Sequence, residues 1–322
     1  AWTDQKLVVT SDGGSSWHDI TPPGGFGGST GDPQGVTFTD PQNGWVAINE
    51  SFTTPSDPGY GRIMIWRTTD GGARWAKTEL PKAVLNPFGE ILPQVQFDFL
   101  DATHGFAFLS GNLAKGKNDS DLFYTADGGQ TWSADRPTGT GSVGIEGNVA
   151  FATANDGVVV NADVGSGIAV THDGGRTWAD AVFAMPSGSA GAQLFFGQPV
   201  FADGRIGVVA VDFQSDSGSV THVYRTTDAG SSWTDVEAFP ASFSWVSVLD
   251  QLDWVAISDT AVRHTDDGGA TWTQTGAAPP TSHAAGPQFV DDMNGWWPAG
   301  DYLDAPLYAT TDGGATWHAL AP

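Results

Sequence analysis

Seven copies of one short string, six copies of a second, and a composition rich in turn formers predict the fold class. The chain is expected to be all-β, a single β-propeller of seven four-stranded blades, with six blades as the alternative. The first string is Thr-x-Asp-x-Gly-x-x-Trp, at Thr10–Trp17, Thr68–Trp75, Thr125–Trp132, Thr171–Trp178, Thr226–Trp233, Thr265–Trp272 and Thr310–Trp317. Its aspartates, Asp12, Asp70, Asp127, Asp173, Asp228, Asp267 and Asp312, recur every 39 to 58 residues, each with an aliphatic residue five positions earlier. The second string sets an aromatic residue six before a Gly and an apolar residue: Phe38…Gly44-Trp45, Phe99…Gly105-Phe106, Phe151…Gly157-Val158, Phe201…Gly207-Val208 and Phe289…Gly295-Trp296. A degenerate copy, Val248…Asp253-Trp254, reads as one residue shorter. Charged residues are only 16% of the 322, against 43 Gly and 19 Pro, which excludes coiled coils and charged disordered tails.

Each copy of the first string reads as strand, tight turn, strand. The Asp accepts hydrogen bonds from backbone N–H groups of its own turn, the Gly tolerates positive φ, and the Trp anchors the next strand on a neighbouring sheet. The second string reads as a hairpin of two buried strands, with segments such as Val46-Ala47-Ile48 and Val255-Ala256-Ile257 behind the turn. Two hairpins per repeat make four strands, one blade. Seven first strings face only six inner hairpins, so one domain spanning 1–322 is expected, its first blade lacking the innermost strand and Trp2 standing where Trp45 and Trp296 stand.

Thirteen basic against 37 acidic residues give −24, which argues against nucleic-acid or anionic-membrane partners. No apolar run approaches the roughly 18 residues of a membrane helix, so no membrane insertion is expected. Without Cys there are no disulfides, thiolate nucleophiles or zinc–thiolate sites.

The first string resembles the Asp-box, or bacterial neuraminidase (BNR) repeat. Its pairing with Phe-x-Asp-x-x-x-Gly-Trp resembles the propellers of photosystem II assembly and stability factors. The resemblance covers nearly the whole chain and implies a propeller, but Asp-boxes also occur in sialidases, xyloglucanases and sortilin-like receptors. The photosystem likeness implies an Arg patch toward a partner, and this acidic chain shows none.

Both turns are expected on one end of the blades, leaving irregular connections on the other end to carry function. The long connections are Pro22–Gly35, Asn49–Arg62, Lys82–Pro93, Ser110–Asp121, Ala184–Pro199 and Asp212–Thr221. Ligand-binding candidates there are Phe52, Tyr60, Arg62, Phe88 and Phe196. Trp245 and Trp297 join them because neither string accounts for either.

A sialidase would need three convergent arginines, a Tyr–Glu pair and an Asp acid. Arg67, Arg225 and Arg263 come just before boxes and Arg74 and Arg176 lie inside them, so ordinary surface arginines are the better reading. A two-carboxylate glycoside hydrolase would draw on Glu50 and Glu90, with Tyr60 beside them, because only five Glu occur. The scattered His residues give no metal-ligand spacing. Asn118–Asp121 or Asp291-Asp292 offers calcium ligands only without EF-hand spacing, so no cofactor or metal is expected. The sequence therefore reads first as a non-catalytic, monomeric, extracytoplasmic binding propeller for a protein or carbohydrate, with Ala1 a trimmed start. A glycoside hydrolase is the alternative.

Overall fold

The computed structural model describes residues 2–3, 6–26, 33–54, 57–81, 94–110, 121–136, 147–160, 167–216, 218–239, 243–258, 261–277, 286–298 and 307–320. Among them all regular structure is strand, and the architecture is a β-propeller. Six sheets carry the four strands of a complete blade, one of them extended to six. They follow a three-stranded sheet of Trp2–Thr3, Lys6–Val9 and His18–Asp19. The alternative count of six blades thus fits the complete sheets, and the sheet of the first box has one strand fewer among the described residues. We number the complete blades two to seven, after the order of their boxes.

The chain divides into two compact units, Ala1–Thr10 with Trp17–Ala179, and Ser11–Ser16 with Asp180–Pro322. The first holds the three-stranded sheet and blades two to four; the second holds blades five to seven.

The box aspartate acts as the sequence predicts. In blade three, Asp127 Oδ1 accepts the Thr131 N–H at 2.9 Å and its Oδ2 accepts the Thr131 hydroxyl at 2.6 Å. The Thr125 hydroxyl donates to Asp127 Oδ1 and accepts the buried Gly129 N–H at 2.7 Å. The same pattern recurs at Asp173, Asp228, Asp267 and Asp312. In blade two, Arg74 takes the hydroxyl's place and donates Nε to Asp70 Oδ2 at 2.8 Å. The Ser or Thr before the Trp is thus a working member of the string.

The residue after the Asp adopts φ near +70° in six boxes and supplies the link between the two turns of a blade. Its N–H donates to a carbonyl of the inner hairpin turn: Gly71 to Gln42, Gly128 to Thr103, Gly174 to Asn155, Ala229 to Arg205, Gly268 to Leu252 and Gly313 to Met293. Both turns therefore share one end of every complete blade.

The second string is explained by a ring lying on a glycine. A Cβ on Gly105 would stand 2.3 Å from the Phe99 ring, and Gly44, Gly157, Gly207 and Gly295 are covered in the same way. Register corrects the reading of blade six: Val248 pairs with Trp254 as Phe38 pairs with Gly44, so the spacing is the same six residues. With Val in place of a ring, a bulky residue fits opposite. Register also moves Trp2. It pairs with Leu7, whose counterpart Ile65 pairs with Ala47, so Trp2 holds the position of Ala47 and not that of Trp45.

The core lies between neighbouring sheets. Trp45 of blade two is fully buried, stacks on Phe99 of blade three at 3.6 Å and donates Nε1 to the Gly128 carbonyl at 2.8 Å. Phe106 stacks in the same way on Phe151 of blade four. Burying such rings contributes about 2–3 kcal/mol each.

Candidate functional site

With one end of each blade occupied by bonded turns, the opposite end is where the blades differ. The second and third strands of most complete blades are four to six residues long. Blade two instead has Gly44–Thr54 and Asp57–Thr68, of 11 and 12 residues. Blade five has Gly207–Ser215 and Gly218–Thr226, nine each. The stretches Asn49–Arg62 and Asp212–Thr221, read from sequence as loops, are thus largely paired strands. Their alternation of apolar and polar residues is imperfect, but the ladder continues from the blade beneath.

Glu50 lies on the extension of blade two and is 8% exposed. Both its oxygens accept from Lys77 Nζ, at 2.5 and 2.7 Å, and the ammonium also lies 5.2 Å from the Trp66 ring. Arg62 is directly across the ladder from Glu50, yet its guanidinium pairs with Glu79 at 3.4 Å and is half exposed. The structure therefore sets Glu50 in an alternating row of charges. Phe52 and Tyr60 lie on the same hairpin with their side chains outside the described residues, and Phe88 and Glu90 fall outside them altogether.

Phe196 is partly buried on blade five, its ring 5.9 Å from Phe183, which in turn packs on Tyr224 at 4.2 Å. Trp245, on the innermost strand Phe243–Val248 of blade six, lies against the backbone of Gly286, where a Cβ would meet the ring at 2.1 Å; it stays partly exposed. Trp297 is corrected. It is 0% exposed and packs edge-on against Trp317 at 5.8 Å, so it has no face for a ligand and serves the core between blades six and seven.

Asp98 is a group that sequence reasoning missed. It lies on the innermost strand Gln94–Phe99 of blade three. The Gln96 amide both donates to the Val149 carbonyl and accepts its N–H, at 2.7 and 3.0 Å, and Asp98 Oδ2 accepts the Phe151 N–H. Two side chains thus stand in for a ladder strand along the inner edge of blade four, whose backbone groups must find partners. Burial pushes the Asp98 carboxyl up to about 6, against which the one N–H works only partly. The signal was present in the sequence: other copies carry Thr37, Ala150, Val200 or Gln288 just before the aromatic, and Ser247 just before Val248.

Asp291, weighed as a calcium ligand, accepts from the N–H groups of Met293 and Asn294, so it caps its own turn. Among the described residues no group of three or more His, Asp or Glu is placed to hold a metal ion. No described helix is long and apolar enough to cross a membrane.

A family model for the BNR/Asp-box repeat matches residues 123–134, the box of blade three. No curated protein matches. Solved structures resemble the chain in fold. An oligogalacturonate lyase from Vibrio parahaemolyticus aligns with a TM-score of 0.58 at 11% identity, over 92% of this chain and 80% of that one. The GH74 xyloglucanase from Xanthomonas campestris gives 0.51 at 14%, over 88% of this chain and 45% of that one, so the chain spans under half its length. An uncharacterised protein from Listeria monocytogenes EGD-e gives 0.52 at 9%, over 99% and 91%.

Proposed function

We propose that this propeller is a non-catalytic, extracytoplasmic recognition scaffold, holding a glycan or protein partner on the end of the blades opposite the box turns. The observation that carries the reading is the contrast between the two ends. At one, the box and inner-turn carboxylates are bonded to their own turns. At the other, the hairpin of blade two in the first unit and that of blade five in the second each extend as paired strands, and a surface already held by a ladder costs less ordering entropy when it binds. A glycan array run beside a panel of chromogenic glycosides tests it: saturable retention without turnover supports a scaffold, and turnover overturns it.

A second reading, a carbohydrate-active enzyme, draws support from Asp98, whose carboxyl is pushed up to about 6 and so suits proton transfer near neutral pH. Fold neighbours whose names give a xyloglucanase and an oligogalacturonate lyase lend it a substrate class. That reading requires Asp98→Asn to abolish turnover of a polysaccharide while the variant stays folded; turnover that persists removes it.

A further inference from the structure

On blade five the strand Gln193–Phe196 pairs with Gly207–Ser215, so that Phe195 lies opposite Asp212 and Gln193 opposite Gln214. Directly paired residues point to the same face of a sheet, about 5 Å apart at Cβ. Thr221 extends the Phe195–Asp212 row on the next strand. The result is a ledge above the apolar contact of Val208, Ala210 and Val223 with Val246.

Two features of the ledge are unusual together. Phe195 is 45% exposed, although it sits on a paired strand. Beside it Asp212 is only 7% exposed, and among the described residues its carboxylate receives two neutral donors, Gln214 Nε2 at 2.8 Å and the Thr221 hydroxyl at 3.3 Å. No cation pairs with it among the described residues. A carboxylate has about four lone-pair sites, so the described residues fill about half its accepting capacity, in a place where desolvation makes an unmet acceptor costly.

We propose that this ledge is a binding subsite for a neutral saccharide, with the Phe195 ring under the C–H face of one pyranose and Asp212, flanked by Gln193 and Gln214, accepting its hydroxyl protons. An aromatic face beside spare acceptors matches a ring that is apolar on its flat face and rich in O–H donors at its rim. The net charge of −24 selects against polyuronates and other polyanions. The inference rests on the recognition reading above and assigns that surface a ligand class.

Affinity electrophoresis of the full chain through gels containing xyloglucan, galactomannan or polygalacturonate tests it, alongside Phe195→Ala, Asp212→Asn and Gln193→Ala, with near-ultraviolet circular dichroism to check folding. The expected result is retardation by at least one neutral polymer and none by polygalacturonate, with affinity reduced tenfold or more in Phe195→Ala. Asp212→Asn keeps an acceptor for Thr221 but offers fewer to the ligand, so it should weaken binding less. Because Phe195 and Gln193 are exposed, their truncation leaves the fold in place. Equal retardation of wild type, Phe195→Ala and Gln193→Ala would overturn the ledge while leaving glycan recognition standing. Retardation by polygalacturonate alone, or by no polymer, would overturn the ligand class, and capture of a protein partner instead would leave only the scaffold reading.

Discussion

At the scale of single residues, the box turn shows how a repeated polar residue is consumed by its own backbone. Its weakest copy is in blade five, where Ala229 holds the left-handed conformation at φ 56° that glycine holds in the other boxes. A side chain there is strained by about 1 kcal/mol, part of which returns as reduced freedom of the unfolded chain. Ala229→Gly is therefore expected to stabilise the protein by up to ~1 kcal/mol, measured by urea unfolding. Asp98 makes a prediction of opposite character. Its folded pKa lies above the unfolded one, so it costs nothing below about pH 4, costs progressively more as the pH rises toward 6, and costs a constant amount above that. Asp98 is half-buried as a residue, so the penalty is taken as about 2 kcal/mol rather than the full shift. Asp98→Asn, which retains an acceptor for the Phe151 N–H, should be more stable than wild type at about pH 8 and equal to it at about pH 4. A uniform loss at both would mean that the charge is not the issue.

At the scale of elements, the extended hairpin of blade two depends on a nearly buried ion pair. Removing one partner of such a pair leaves the other charge without compensation, whereas removing both is far milder. Glu50→Gln should cost about 2 kcal/mol, discounted because Lys77 is about one-third exposed, and the double variant Glu50→Gln/Lys77→Met should recover most of it. Equal losses in single and double variants would show that the pair is not coupled. This pairing also marks how far the sequence could be read. The scarcity of Glu drew attention to Glu50 as an acid, but its partner Lys77 is 27 residues away on the last strand of the blade. Only the register of three strands brings them together. The Phe195–Asp212 ledge was hidden for the same reason, since its members lie on separate strands that the sequence presents as loops.

For the whole molecule, the carboxylates decide behaviour in acid. Burial raises the carboxyls of Asp127, Asp173 and Asp228, but the hydroxyl and N–H four residues on outweigh it and the net direction is down. The Thr271 N–H and hydroxyl lower Asp267, the Thr316 hydroxyl and N–H lower Asp312, and the Arg74 side chain leads at Asp70. Groups with depressed folded pKa values contribute stability that is present above the unfolded value near 4 and is lost as the pH falls through the folded values. Thermal melts should therefore show a midpoint that drops steeply below about pH 4, with the box turns failing together; a midpoint that stays level down to about pH 2 would contradict the carboxylate-braced turns. The sequence by itself determined the two hairpin turns of each repeat, the strands that flank them and the bonded state of the box aspartates, because each depends on residues within about eight positions of one another. The tertiary structure alone decided which side chains meet across strands and between blades: Lys77 on Glu50, Gln96 and Asp98 along the edge of blade four, Trp297 inside the core and Phe195 beside Asp212. Register and sheet-to-sheet packing set those meetings, and a repeat that makes every blade alike in outline leaves them to the residues in which the blades differ.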